Sequence, residues 1–410
     1  IKQPFSVPIP ERVIQFSFSN KIAILLSRIM SFLSKKEVVM ISTYTPWYLK
    51  LKLMIKFKEL PYFIDDSFSV PFCNYDHNKR KKFEKSLSEA GLMSDSLEEC
   101  LISLIAMNLP KSLLEGYSSI KDLASTCRLP KNPKTILTTW TTNNDIFKFY
   151  VARKIEEGTK LCILCHGGEH HLYSDYHNHE LEVCDRYFSW GWKGHSQKHF
   201  LGFCQLHIKK LDFTGDESSL LLLLTEVDSD IGYINSSPSY EQYVHGYLND
   251  QINFINNLNP IPLSLLNVRL SESGNSIAKK KIKEKIPQLH FIERTQSLEP
   301  FWDEAKILVI SYNQTALAQA LSSGKPTVVF FRRETNEMNE ISNRVFRDLE
   351  KCGIFHDSPI SASTHINEIW DDVEQWWNSK EVRQAVKLFS ENLCRQSLHP
   401  EEEIFNFPQF

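Results

Sequence analysis

Residues able to do chemistry crowd into one stretch, "HGGEHHLYSDYHNHELEVCDRYFSWGWKGH", running from His166 to His195. Five of the fourteen histidines fall between His166 and His179, a density that raises metal binding, proton transfer and phosphate contact together. Glu180 and Asp185 offer carboxylates for general-base or nucleophilic work. Gly167 and Gly168 let a backbone approach a ligand closely and turn N–H groups toward an anion, with Glu169 beside them. Trp190 and Trp192 flank Gly191 and supply the flat apolar faces that a sugar pocket uses as its floor.

The metal reading has the weaker physical basis. His166–His170 and His177–His179 meet zinc-ligand spacings on paper, but Gly167-Gly168 breaks any helix that would carry the first pair, and no HExxH accompanies them. Cys162, Cys165 and His166 spell CxxCH, yet in a strand residues three apart point to opposite faces, so the thiols would diverge. The expectation is therefore no metal and no cofactor. His166 is the preferred base or leaving-group phosphate contact, Glu180 and Asp185 the carboxylate candidates, and Glu115 a further substrate contact. A histidine-rich metal-dependent hydrolase and a non-catalytic glycan-binding module are the alternatives from other classes.

A second cluster lies in "ILVISYNQTALAQALSSGKPTVVFF". A buried strand ends at Ile310 and a helix follows from Thr315, so Ser311, Tyr312, Asn313, Gln314 and Thr315 gather hydroxyls, amides and unpaired N–H groups at a helix N-terminus. Such an end attracts phosphate through its N–H groups and its dipole. A plain N-cap by Asn313 or Thr315 is the alternative, worth on the order of 1 kcal/mol. Arg269 closes the strand "LLNVRL", where a guanidinium fork would suit a phosphate or carboxylate. The run "AKKKIKEK" (Ala278–Lys285) reads as a solvated helix face that could also steer an anionic lipid-linked acceptor.

These residues need a frame. "KKEVVMIST" predicts a strand, "PWYLKLKLMIKFKEL" a helix with proline at its start, and "PYFID" a strand, which together make a βαβ unit. Residues 79–123 turn helical, with Ser96 and Glu99 spaced as a capping box. "KTILTTW" is a strand, "NDIFKFYVARKIEEG" a helix, and "TKLCILCHGG" a strand delivering its carboxyl end to the histidine stretch, where open α/β sheets bind ligands. A second α/β series starts with "SLLLLL" at Ser219 and ends in helices over Asn339–Cys394. The polar segment Lys209–Ser219 sets the expected boundary, giving residues 1–215 and 216–410 as two α/β domains.

The totals exclude several classes. At 410 residues the chain exceeds one ordinary core. A net charge of −3 leaves no electrostatic footprint for nucleic acid. Nine scattered cysteines make no disulfide framework and fit a reducing cytoplasm. No apolar run is long enough to span a bilayer, and "NKIAILLSRIMSFLSKK" (Asn20–Lys36) reads as an amphipathic helix rather than a signal peptide. The sequence opens without methionine, which fits a piece of a longer chain.

With "LPKSLLEGY", "NDIFKFYVARKIEEGTKLCILCHGGEHH", "ELEVCDRYFSWGWKG", "ISYNQTALAQALSSGKPTVVFF" and the terminal helical stretch from Lys351, the chain resembles a family of bacterial surface-polysaccharide transferases over about Val38–Cys394. It departs from that family in carrying Cys165 where glutamine usually precedes the His-Gly-Gly. More distantly it is similar to enzymes that use CMP-activated Kdo or sialic-acid-like sugars, or CDP-polyols. Their short His-Pro signature occurs here only at His399-Pro400. The resemblance implies a GT-B-like fold, two Rossmann-like α/β domains facing a cleft, with C-terminal helices. It implies a glycosyltransferase with a nucleotide-sugar donor, a CMP-sugar being suggested, and a glycan or lipid-linked glycan acceptor. A CDP-polyol-dependent polyol-phosphate transferase is the alternative. The expected setting is the cytoplasm, extending to peripheral association with the inner face of the membrane.

Overall fold

The computed structural model describes residues 37–41, 43, 45–57, 62–64, 73–89, 96–126, 129–139, 144–167, 179–194, 196–206, 208–211, 217–225, 242–270, 277–293, 295–336 and 338–407. The expected helix at Asn20–Lys36 lies outside them, as do Gly168, Glu169, His170, His171 and His177.

Two parallel six-stranded sheets make this an α/β protein with two Rossmann-like halves. The first sheet holds β1 (Val38–Ile41), β2 (Tyr62–Ile64), β3 (Thr135–Thr138), β4 (Lys160–Leu164), β5 (Arg186–Phe188) and β6 (His199–Phe200), in the order β2-β1-β3-β4-β5-β6. Helices α1 (Trp47–Phe57), α2 (His77–Glu89), α3 (Ser96–Asn108), α4 (Tyr117–Thr126), α5 (Asp145–Glu156) and α6 (His179–Val183) fall between its strands in sequence. β3 is buried at all four positions, and β4 at every position after Lys160. Burial on both faces is why these strands read as apolar runs without alternation. α5 starts where the sequence predicts: Asn144 accepts the Phe147 N–H at 3.1 Å as N-cap.

The second sheet holds β7 (Ser219–Leu224), β8 (Leu266–Leu270), β9 (His290–Ile292), β10 (Ala305–Ile310), β11 (Thr327–Phe330) and β12 (Phe355–His356), in the order β12-β11-β10-β7-β8-β9. Numbered within their own half and read from the β9 edge, the strands run 3-2-1-4-5-6, the doubly wound dinucleotide-binding order. The order reverses between β7 and β10, whose registers align Leu223 with Ile310. Helices α7 (Leu248–Asn256), α8 (Pro260–Ser264), α9 (Ile277–Lys285), α10 (Glu299–Glu304), α11 (Thr315–Ser323), α12 (Glu340–Lys351) and α13 (Pro359–Ile369) connect or cover the strands. The tail adds α14 (Val373–Trp377), α15 (Lys380–Leu393) and α16 (Pro400–Asn406). Two short strands, β6 and β12, were not expected from the sequence. At two residues each they show no periodicity to read.

By contact density the chain forms two compact units, residues 1–43 with 50–161, and residues 44–49 with 162–410. In the first, Arg80 of α2 donates to the Ala106 and Met107 carbonyls, both at 2.9 Å, and so closes the C-terminus of α3. The second contains the whole β7–β12 sheet and also β5, β6 and the terminal helices.

Candidate functional site

The point where strand order reverses in the second sheet is built from two deeply buried central strands. β7 and β10 are leucine- and isoleucine-rich, and Leu220–Leu222 and Ile307–Ile310 have no exposed surface. Their carboxyl ends are tied together by hydroxyls. Ser311 Oγ donates to the Leu223 carbonyl at 3.1 Å, and Tyr247 Oη lies 2.7 Å from Ser311 Oγ. Because the serine proton is committed to Leu223, the tyrosine donates to the serine. The Thr225 N–H then donates to Tyr247 Oη at 2.9 Å. Tyr247, at the end of a π-helical turn (Gln242–Tyr247), thus fixes the floor of the crevice.

Above this floor the chain enters α11. Gln314 occupies the N-cap position with no side-chain capping bond, and no acidic residue lies in the first turn. Asn313 is only 6% exposed, and neither Oδ1 nor Nδ2 of its amide has a partner among the described residues. An orphaned buried amide costs roughly 1–3 kcal/mol, so native proteins rarely leave one without a reason. The alternative of a plain N-cap by Asn313 or Thr315 does not hold, because the cap position belongs to Gln314 and Asn313 bonds no helix N–H. Burial pushes the Tyr312 phenol up to about 12, which keeps it a neutral hydrogen-bonding group.

Beside the turn, along the same sheet edge, Arg332 follows β11. Its guanidinium grips Asp250 of α7 with two bonds of 2.7 Å, and that carboxylate raises the guanidinium further above its ordinary range. The pair lines an open cleft of about 360 Å3 with Asn253, Glu334, Asp357 and Ser358. Arg269 stands on β8, level with Leu223 of the neighbouring β7. It donates to the Glu293 and Gln296 carbonyls and so secures the turn after β9. That structural role engages Nη1 of the residue expected to clamp a phosphate.

The first sheet separates residues that the sequence had grouped. His166 and Gly167 follow the carboxyl end of β4, as expected. Burial lowers the His166 imidazole to about 4, so it is neutral at pH 7 and the expected phosphate contact there carries no charge. The register Cys162↔Arg186 sets Asp185 level with Leu161, at the amino end of β5. Five residues of strand, about 16 Å, separate that level from His166. Asp185 is exposed at the opposite sheet edge, so the expected catalytic carboxylate does not share the end of the sheet that holds His166. Glu180 is buried at 6% exposure in α6, the short helix that leads into that same end of β5.

Trp190 is fully buried, and its indole N–H donates to the Cys165 carbonyl at 2.7 Å and to Gln205 Oε1 at 3.0 Å. It pins the end of β4 and has no open face for a sugar. Trp192, 4% exposed, packs edge-on to His199. Glu115 is occupied as well, accepting from Arg80 Nε at 2.7 Å and Nη2 at 2.8 Å. For these three the core or ion-pair role replaces the expected substrate contact.

The sequence reading missed Tyr247, Thr225, Asp250 and Arg332. It also missed Thr138 and Thr139, which end β3 with no exposed surface, beside β1 where the first sheet reverses its order. A signal existed in the run "TTWTT" directly behind a strand. Tyr247 had none, since only strand order brings it to the crevice.

Comparison with known proteins adds a family. The profile of the LIC12162 family transferase matches residues 11–407. No curated protein matches the chain. Among solved structures, Staphylococcus aureus MnaA in its UDP complex is 13% identical, with a TM-score of 0.47 over 90% of this chain and 95% of that one. Acinetobacter baumannii MurG is 8% identical, with a TM-score of 0.44 over 91% and 99%. The wall teichoic acid polymerase TagF is 9% identical, with a TM-score of 0.39 over 96% and 98%.

Proposed function

The chain belongs to the LIC12162 family of transferases, and we propose that it moves a glycosyl group from a nucleotide-activated sugar to a glycan or lipid-linked glycan acceptor in bacterial surface-polysaccharide assembly. The observation that carries this reading is Asn313: a buried amide without a partner among the described residues, at a helix N-terminus with no side-chain cap, where the strand order reverses. The dipole of a helix N-terminus without a side-chain cap and the Asn313 amide together suit the phosphate of a nucleotide. The hydroxyl chain from Thr225 through Tyr247 and Ser311 to Leu223 holds these donors in place before the ligand arrives. Preorganised donors of that kind stabilise the negative charge that develops on a leaving phosphate.

In this reading residues 216–410 hold the donor and residues 1–215 the acceptor. His166, neutral at pH 7, accepts the proton of the acceptor hydroxyl. The oxygen then bonds to the anomeric carbon, the bond from that carbon to the nucleotide phosphate breaks, and its electron pair leaves with the phosphate at α11. Glu180 is the remaining carboxylate candidate, and no metal is assigned a part. A CMP-activated sugar is the finer assignment, supported by the distant resemblance in the sequence. Transfer of a polyol phosphate from a CDP-polyol would use the same phosphate seat. Among the described residues no helix is long and apolar enough to cross a membrane, and the reaction is assigned to the cytoplasmic side, where nucleotide donors are made.

A thermal-shift series across CMP, CDP, UDP and GDP tests the reading. One base should raise the melting temperature, with cytidine expected. A flat response to every nucleotide would remove the donor site.

A further inference from the structure

The Cys394 sulfur accepts a hydrogen bond, and in this it differs from three other thiols. Cys165, Cys184 and Cys352 each turn the S–H to a backbone carbonyl, of Gly167 at 3.3 Å, Leu181 at 3.8 Å and Leu349 at 3.3 Å. A thiol that donates in a dry setting stays protonated and inert. Burial accordingly pushes Cys184 up to about 12 and Cys352 up to about 11.

Cys394, the C-cap of α15, has no exposed surface, and Gln396 Nε2 donates to its sulfur at 3.6 Å. The Cys204 thiol, the Ser322 hydroxyl of α11 and the Lys210 ammonium also face that sulfur and favour its thiolate. Lys210 is held there by donating to the Ser322 carbonyl at 2.6 Å. With the Cys204 thiol foremost, these groups draw Cys394 below the usual thiol range despite its burial, while burial pushes Cys204 up. Backbone pairing delivers the second sulfur. The Cys204 N–H donates to the Arg395 carbonyl at 2.8 Å, so the segment after β6 lies against the end of α15. Cys204 is 4% exposed, which leaves a narrow approach for a molecule the size of water.

We infer that Cys204 and Cys394 form a redox-sensitive latch, which hydrogen peroxide closes into a disulfide fastening the tail to the segment after β6. The Cys394 thiolate attacks one peroxide oxygen, the O–O bond breaks, and the leaving hydroxide takes up the proton that the thiol released. The Cys204 sulfur then attacks the sulfenic sulfur, the S–O bond breaks, and hydroxide leaves with the Cys204 proton as a second water. Two thiols are oxidised to one disulfide, and one peroxide is reduced to two waters. In a reducing pool the pair rests open. The latch is independent of the donor-site reading, because none of its chemistry passes through Asn313.

Peptide mapping of the full chain provides the test, after peroxide treatment and alkylation in denaturant. A crosslink should join the peptides carrying Cys204 and Cys394, with Cys162 and Cys184 recovered alkylated. A crosslink closing so long a loop should raise the melting temperature by about 5 °C, and dithiothreitol should reverse the rise. Cys394→Ser should abolish both crosslink and rise. Gln396→Leu removes one donor from the sulfur without touching either thiol, and should slow crosslinking about tenfold; it decides the matter even where Cys394→Ser fails to fold. Recovery of Cys204 and Cys394 in alkylated form, equal crosslinking of Cys162 to Cys184, or a Gln396→Leu variant that closes as fast as the parent would each overturn the inference.

Discussion

Asn313 and Glu115 are both buried polar side chains, but they behave in opposite ways. Asn313 has no partner among the described residues, so replacing it with the isosteric Asn313→Leu removes a desolvated amide and should stabilise the folded protein by about 1 kcal/mol or more. The same variant should lose most of its nucleotide-induced thermal shift. A drop in stability in urea titrations would mean the amide is already bonded, and the phosphate seat would lose its basis. Glu115 is fully engaged, its side chain 5% exposed against Arg80, whose hydrogen bond holds the carboxyl well down, to about 2. Since that folded-state pKa lies below the unfolded value, the pair's contribution is complete above the ordinary glutamate range. It falls away as the pH drops from there toward 2. Glu115→Gln should therefore cost about 3 kcal/mol at neutral pH, and the gap to the parent should narrow in acid. A gap independent of pH would contradict the ion pair as its cause. Residue types alone pointed to Glu115 and Trp190 as substrate contacts and to Asp185 as a catalytic carboxylate. Composition cannot show that the first two are already bonded internally, or that the register β4–β5 carries the third to the far sheet edge.

α11 illustrates how an element can be unfinished by its own sequence. It begins at Thr315 with Gln314 at the cap position and no capping bond, although its C-terminus is closed by Gly324 in the left-handed region at φ +95°. Gln314→Asp would place an acceptor and a negative charge at that N-terminus, worth roughly 1 kcal/mol to the helix. It should also repel the donor phosphate. The expected outcome is a higher melting temperature with weaker nucleotide binding, and calorimetric titration should read at least a tenfold loss, about 1.4 kcal/mol. Unchanged affinity would place the phosphate elsewhere. Elements of this kind were legible: the strand at 305–310, the helix from Thr315 and the Gly-Lys-Pro turn all follow from apolar runs and breakers. What the runs could not reveal was pairing. β7 and β10 are eighty residues apart in sequence yet adjacent in the sheet, and only that adjacency makes a crevice between Thr225 and Ser311.

For the molecule as a whole, the terminal segment does something its helical periodicity did not announce. It returns to the first sheet after the second is complete. The Arg395 N–H donates to the Trp190 carbonyl at 2.6 Å, the Cys204 N–H to the Arg395 carbonyl at 2.8 Å, and Arg395 Nη1 to the Gly202 carbonyl at 2.9 Å. Gly191, at φ +127°, permits this approach, since a Cβ there would sit 2.6 Å from the Glu391 carbonyl oxygen. Phe407 then stacks on Phe188 at 3.7 Å, and Arg186 donates to its carbonyl. The sequence boundary at Lys209–Ser219 separates the strands of the two sheets, but contact density places β5, β6 and the tail in one unit. If the tail completes that unit, Phe407, 3% exposed, is a core residue of β5–β6. Phe407→Ala should then cost about 3–5 kcal/mol, as for a central phenylalanine, where a fraying terminus would cost under about 1 kcal/mol. Urea unfolding separates the two outcomes. The loss should appear in the main transition and not as an early separate step, because Phe407 packs on the strand that Trp190 ties to β4.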